Sequence, residues 1–95
     1  MYVTSTILLH LFLPISRSLK EKRSIIQPLI HRLRKEFNIS VSEVEKMDNL
    51  NEAVILCAHA SNNKIFSRTY LNKVEYFIIT KYKNIDLIES KIEIV

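Results

Sequence analysis

The chain has 95 residues, 47% apolar and 25% charged, with a formal net charge of +4. This length makes one small domain with a single core, and the lone cysteine, Cys57, excludes an internal disulfide and fits a reducing cytoplasm. Glycine is absent, which excludes a P-loop and a dinucleotide fingerprint and leaves the turns to Asn, Asp, Ser and Pro.

Tyr2 to Leu13 reads as the first strand. It alternates at first and then becomes apolar on both sides through Ile7, Leu8, Leu9, Leu11, Phe12 and Leu13, as a strand covered on both faces does. Pro14 ends it. No apolar run approaches the ~18 residues of a membrane span. The run Ile7 to Leu13 lacks the flanks of a signal peptide, so none is expected.

Ser18 to Phe37 reads as an amphipathic helix. Ser18 and Glu21 have capping-box spacing, with the Glu positioned to reach back to the cap. Leu19, Ile25, Ile26, Leu29, Ile30, Leu33 and Phe37 recur at helical spacing. Pro28 deletes one backbone hydrogen bond. The apolar stripe continues in phase across it, which favours one kinked helix over two short ones. Lys20, Arg34 and Lys35 lie on the other face, with Arg23 on its margin. Met1 to Phe37 holds seven Lys or Arg against two acids, net +5, and the remaining 58 residues hold seven against eight, net −1. The positive balance of the chain therefore belongs to this helix and the segment leading into it.

Asn38 is a C-terminal stop. Ile39 to Met47 reads as a second strand whose alternation slips between Val41 and Val44, predicting a bulge. Its charges mark it as a guarded edge. Asp48 to Asn51 form a turn. Glu52 to Ala60 is short and nearly all apolar, predicting a central strand. A second helix runs from Ser61-Asn62-Asn63 to about Tyr82, burying Phe66, Tyr70, Leu71, Val74, Phe77 and Ile78 and leaving Ile65, Tyr76 and Ile79 outside. Ile85 to Val95 forms the last strand, with Ile88, Ser90, Ile92 and Ile94 on one face and Glu89, Lys91 and Glu93 on the other. The order β-α-β-β-α-β predicts an α+β, ferredoxin-like sandwich, with a four-stranded antiparallel sheet and both helices on one face. Residues 1–95 form one domain without repeats or linkers.

The first helix also carries a resemblance. Ser18-Leu19-Lys20-Glu21-Lys22-Arg23 followed by an apolar stretch and Leu33-Arg34, then Phe37 to Val44, Ala53-Val54, Ser61-Asn62-Asn63-Lys64 and Ile92 to Val95, resembles the YlxP-like family of small bacterial proteins of unknown function. The resemblance covers essentially the whole chain and implies the same ferredoxin-like fold. It implies no activity. Such proteins are often encoded near translation factors and a ribosome-maturation protein, which implies association with RNA or the ribosome.

Lys22 falls within the apolar stripe of the first helix. Such a cation either snorkels out, joining Arg17 and Arg23 in an anion site at the helix N-terminus, or pairs with a carboxylate such as Glu45. The basic face of Lys20, Arg23, Arg34 and Lys35, with Gln27 and His31 between them, either tracks RNA phosphates or is a solvated helix face. The candidate nucleic-acid contacts are thus Arg17, Lys20, Lys22, Arg23, Arg34 and Lys35. Aromatic interleaving is missing, so base-specific reading is not indicated.

The central strands offer Leu8, His10 and Phe12 or their neighbours, with Ile55, Cys57 and His59, to an open face that is aliphatic and lacks the glycine-and-aromatic signature of RNA-recognition domains. A second copy or another protein is expected to cover it, giving a homodimer through that face or through the edge strand. His10 and His59 share adjacent strands, but His10, His31 and His59 lack second ligands at useful spacing, so no metal is expected. Glu43 and Glu45 share a strand face without any sign of desolvation. No nucleophile has a neighbouring base. The expectation is a non-enzymatic cytoplasmic module, without cofactor or membrane, that presents its first helix to RNA or a ribosomal subunit. The alternative is a homodimeric or protein-binding module with no nucleic-acid role.

Overall fold

A computed structural model describes all residues, Met1–Val95. The elements follow as β1 (Val3–Phe12), α1 (Leu19–Glu36), β2 (Ser40–Glu45), β3 (Glu52–Ser61), α2 (Lys64–Lys81) and β4 (Asp86–Ile94). The sheet order is β2-β3-β1-β4 with every neighbouring pair antiparallel. This is the expected ferredoxin-like sandwich.

β1 supplies the centre of the core. Val3, Ile7, Leu9, Leu11 and Leu13 are buried against the helices, and each fully buried Leu or Ile contributes about 1.5–3 kcal/mol. Their alternates Thr6, Leu8, His10 and Phe12 are only half-buried. The continuous apolar run does not mean a strand covered on both faces, because no element lies on the second one.

α1 is one continuous helix through Pro28, which lies on its exposed side. The Ser18 hydroxyl accepts the Glu21 N–H at 3.0 Å. The Glu21 carboxylate accepts the N–H of Arg17 at 3.1 Å, one residue before the cap. Ile26, Leu29 and Leu33 face the sheet.

The predicted slip in β2 is a bulge between Glu43 and Glu45 that leaves Val44 unpaired. It moves the two acids to opposite faces. Glu43 stands opposite Ile55, a core residue, whereas Glu45 stands opposite Val54, which lies outside the core cluster. The β2–β3 turn holds Lys46 at φ 59, a conformation that glycine would supply without strain. Asn49 Oδ1 completes the turn by accepting the N–H groups of Asn51 and Glu52 at 3.0 and 2.9 Å.

α2 starts at Asn63, whose side chain accepts the Phe66 N–H. Its buried side chains are Ser67, Leu71, Val74 and Ile78. The expected inward Phe66 is 53% exposed. Ser67 takes the inward place and hydrogen-bonds Ser61, while Phe66 stacks on Tyr70. β4 carries its own irregularity. Leu11 pairs with Leu87 and His10 with Glu89, so Ile88 is the extra residue of a bulge. Ile88 is therefore exposed instead of joining Ile92 and Ile94.

Candidate polyanion-binding face

Helical geometry decides which cations of α1 meet solvent. Lys20, Arg23, Gln27, His31, Arg34 and Lys35 are all exposed. At 100° per residue they form one outward stripe. Lys20 to Lys35 spans about 22 Å at about 1.5 Å per residue. Arg17, also exposed, precedes the helix. The three Lys or Arg ion pairs of the protein are Lys22–Glu43, Arg32–Glu36 and Lys46–Glu52, and His10 Nε2 lies against Glu52 Oε1. Arg17, Lys20, Arg23, Arg34 and Lys35 therefore have no carboxylate within ion-pair distance. Arg34 donates one N–H to the Val41 carbonyl at 2.6 Å, which fixes its stem and leaves the rest of the guanidinium toward solvent. Arg32 is withdrawn by Glu36 and by the Phe77 ring, 5.6 Å away.

Lys22 does not belong to this face. It is 3% exposed, donates to the Lys46 carbonyl at 2.7 Å and lies 2.9 Å from Glu43 Oε2. It is thus a structural cation, and its partner is Glu43 instead of Glu45. The bulge at Val44 explains the exchange, because it turns Glu43 toward α1 and Glu45 away. Glu43 Oε2 accepts no hydrogen bond, so the ammonium beside it supplies its compensation. The alternative reading, an anion site of Arg17, Lys22 and Arg23, loses its lysine to these partners. Glu21 already bonds at the helix N-terminus, and Lys22 points beneath the helix.

The family described as "Protein of unknown function (DUF503)" matches residues 4–92. The chain belongs to the DUF503 family. The Uncharacterized protein YlxP of Bacillus subtilis (strain 168) is 31% identical to it over 61 residues, covering 64% of this chain and 66% of that protein. The match thus spans just under two thirds of that relative. The De novo designed protein Foldit4 is similar at a TM-score of 0.53 and 16% identity, covering 100% of this chain and 97% of that one. That likeness speaks for the fold alone.

The remaining chemistry-bearing residues of this DUF503 domain are dispersed. His10 and His59 do not approach each other. His59 pairs with Ser5 and His10 with Val54, and they lie on opposite faces. His10 Nε2 is 2.6 Å from Glu52 Oε1 on the open face. His59, on the helix side, stacks on Tyr70 with centroids 4.5 Å apart and its Nδ1 lies 3.2 Å from the Asn38 carbonyl. His31 stands alone on α1. Burial pushes the Cys57 thiol from 9.0 up to about 12, so it is a protonated apolar group at neutral pH. No helix is long and apolar enough to cross a membrane.

The open face is also composed differently from expectation. Ile55, Cys57 and His59 point to the helices. Val54, Leu56, Ala58 and Ala60 take the open side with Thr4, Thr6, Leu8, His10 and Phe12. The all-apolar run Ala53 to Ala58 carries no alternation from which its facing could be read. A hollow of about 300 Å³ beside Lys22 is lined by Leu19, Arg23, Ile26, Gln27, Glu43 and Asp48 among others. It holds cations and acids in equal number and no nucleophile. The residues missed from sequence are Glu43 and Lys46 as partners of Lys22, and Val41 as the anchor of Arg34.

Proposed function

We propose that this DUF503 protein is a non-enzymatic binding module that holds structured RNA, free or within a ribosomal subunit, on the outer face of α1. The observation supporting this reading is the set of five exposed cations, Arg17, Lys20, Arg23, Arg34 and Lys35, with no carboxylate in ion-pair distance. A surface whose charges are neutralised internally has little counterion atmosphere to exchange with a polyanion; this one retains its own. The stripe carries no Phe, Tyr or Trp, and His31 is its one ring on which a base could stack. The stripe therefore engages the sugar–phosphate backbone and the shape of the RNA, not its sequence. The work is done in the cytoplasm, where a lone thiol stays reduced.

The test is co-sedimentation with ribosomal subunits, and retention of a structured RNA, at low and at high salt. Binding that weakens steeply with salt is expected. No binding, or binding indifferent to salt, overturns the reading.

The second reading, a protein-binding or homodimeric module without a nucleic-acid role, is favoured by the apolar centre of the open face, where the half-buried Leu8, Phe12 and Leu56 have no element above them. Protein association with no retained RNA at any salt would select it.

A further inference from the structure

The two edges of the sheet are chemically unlike. The β2 edge is six residues long and bulged at Val44, and Arg34 caps the Val41 carbonyl. A strand arriving there meets an interrupted row of backbone groups. The β4 edge is open. Thr4 and Val95 exchange both backbone hydrogen bonds, at 3.2 and 2.8 Å. In an antiparallel ladder this direction alternates. The backbones of Glu93, Lys91 and Glu89 therefore also point to β1, and those of Ser90, Ile92 and Ile94 point away from the sheet. No side chain bonds these outward groups.

Exposed apolar residues of α2 accompany this edge. Ile65, Tyr76 and Ile79 recur at helical spacing with the polar Asn72 among them, and Ile65, Arg68 and Asn72 line a hollow of mostly polar residues together with Ile94 of β4. Ile65 is 80% and Tyr76 69% exposed, and Ile79 and Ile88 are exposed as well. Unpaired backbone and uncovered apolar side chains thus occupy the same flank.

We propose that β4 binds the β4 of a second copy of this chain, antiparallel across a two-fold axis at Ile92, joining two sheets into one of eight strands. The charges on β4 select this partner and this register. With the axis at Ile92, Lys91 faces the partner's Glu93, and Glu93 faces the partner's Lys91. On the helix side Ile92 meets the partner's Ile92, and Ser90 meets the partner's Ile94. With the axis one residue earlier, Lys91 meets the partner's Lys91, and Glu89 meets the partner's Glu93. Like charges directly opposite each other destabilise a ladder. With the axis at Ser90, the Ile88 bulge falls inside the paired segment and interrupts it. The Ile92 register uses only residues 89–95, beyond the bulge. Because the strand complements its own sequence, the contact is isologous and closes as a dimer. The exposed apolar residues of the two α2 helices then lie on either side of the same axis and lose their exposure. α1 packs at the β2 end, so this inference is independent of RNA binding. It leaves the two basic faces at the far ends of the joined sheet.

Light scattering and sedimentation on the full chain test the proposal, with circular dichroism reporting the fold of each variant. The wild type sizes as a dimer. Lys91→Glu weakens dimerisation about tenfold or more by placing two acid pairs across the axis. The exchange Lys91→Glu/Glu93→Lys restores it. Ser90→Pro, which removes an N–H that no intramolecular bond uses, folds as a monomer. A wild type that is monomeric at millimolar concentration, or a folded Ser90→Pro that remains dimeric, overturns the proposal. An exchange variant as weak as Lys91→Glu overturns the Ile92 register.

Discussion

The Lys22 ammonium ends 2.7 Å from the backbone carbonyl of Lys46, the one residue held in the left-handed region. A single buried cation thereby ties the first turn of α1 to the β2–β3 turn and neutralises Glu43, 2.9 Å away. Taking a charge out of water is unfavourable unless its partners are in place. This contact fixes the position of α1 over the sheet, and with it the line along which the outward cations stand.

Lys22→Ala removes the compensation of both the Glu43 carboxylate and the Lys46 carbonyl. Because Glu43 retains some exposure, the expected loss is about 2 kcal/mol, below that of a fully buried pair. Urea unfolding measures it. Lys22→Met/Glu43→Leu, which removes both charges at similar volume, should recover most of the loss, since an apolar pair replaces an ionic one without an orphaned charge.

Lys46→Gly should raise stability by about 0.5–1 kcal/mol, because glycine enters the left-handed region without a Cβ clash, partly offset by its greater unfolded-state freedom. The Lys22 bond to the main-chain carbonyl survives this change. The ion pair between Lys46 and Glu52 goes with the lysine side chain, but at 3.9 Å and open to solvent it contributes little. Lys46→Val should go the other way in the same unfolding assay.

Cys57 sets an alkaline limit. Burial raises its thiol from 9.0 to about 12, so the unfolded chain releases this proton before the folded one does. Its contribution to stability is fully present below pH 9, is lost as pH rises, and is gone above about pH 12, at up to ~1.4 kcal/mol per pH unit. Comparing the pH dependence of unfolding for wild type and Cys57→Ala isolates this group from the lysines and tyrosines that titrate nearby. The difference in stability between the two should narrow from pH 9 upward. Native Cys57 should also resist alkylation at neutral pH and react only in denaturant.

The order of elements was legible because each local signal agreed with the whole. Ser18 and Glu21 mark the start of α1, Pro14 ends the apolar run of β1, and the slip around Val44 announces the bulge. The cations of α1 were readable as a stripe from spacing alone. The errors arose where one unpaired residue reverses the facing of those beyond it. Val44 decides that Glu43, and not Glu45, meets Lys22, and Ile88 leaves the face of Ile92 and Ile94. The run Ala53 to Ala58 is apolar at every position, so only its pairing with β1 shows that Ile55 and Cys57 turn to the helices. In α2 the inward place of Ser67 depends on a hydrogen bond to Ser61, a partner that no periodicity reveals.

Binding at the outer face of α1 should exchange counterions for RNA phosphates. Its most direct test is the salt dependence of the affinity for a structured RNA, measured by fluorescence anisotropy on wild type and on Lys20→Glu/Lys35→Glu, whose side chains enter no ion pair. About four phosphates neutralised predict a slope of log affinity against log salt of about −3, with affinity at least about tenfold lower and a shallower slope in the variant. A wild-type slope near zero, or a folded variant that binds as the wild type does, would contradict the account.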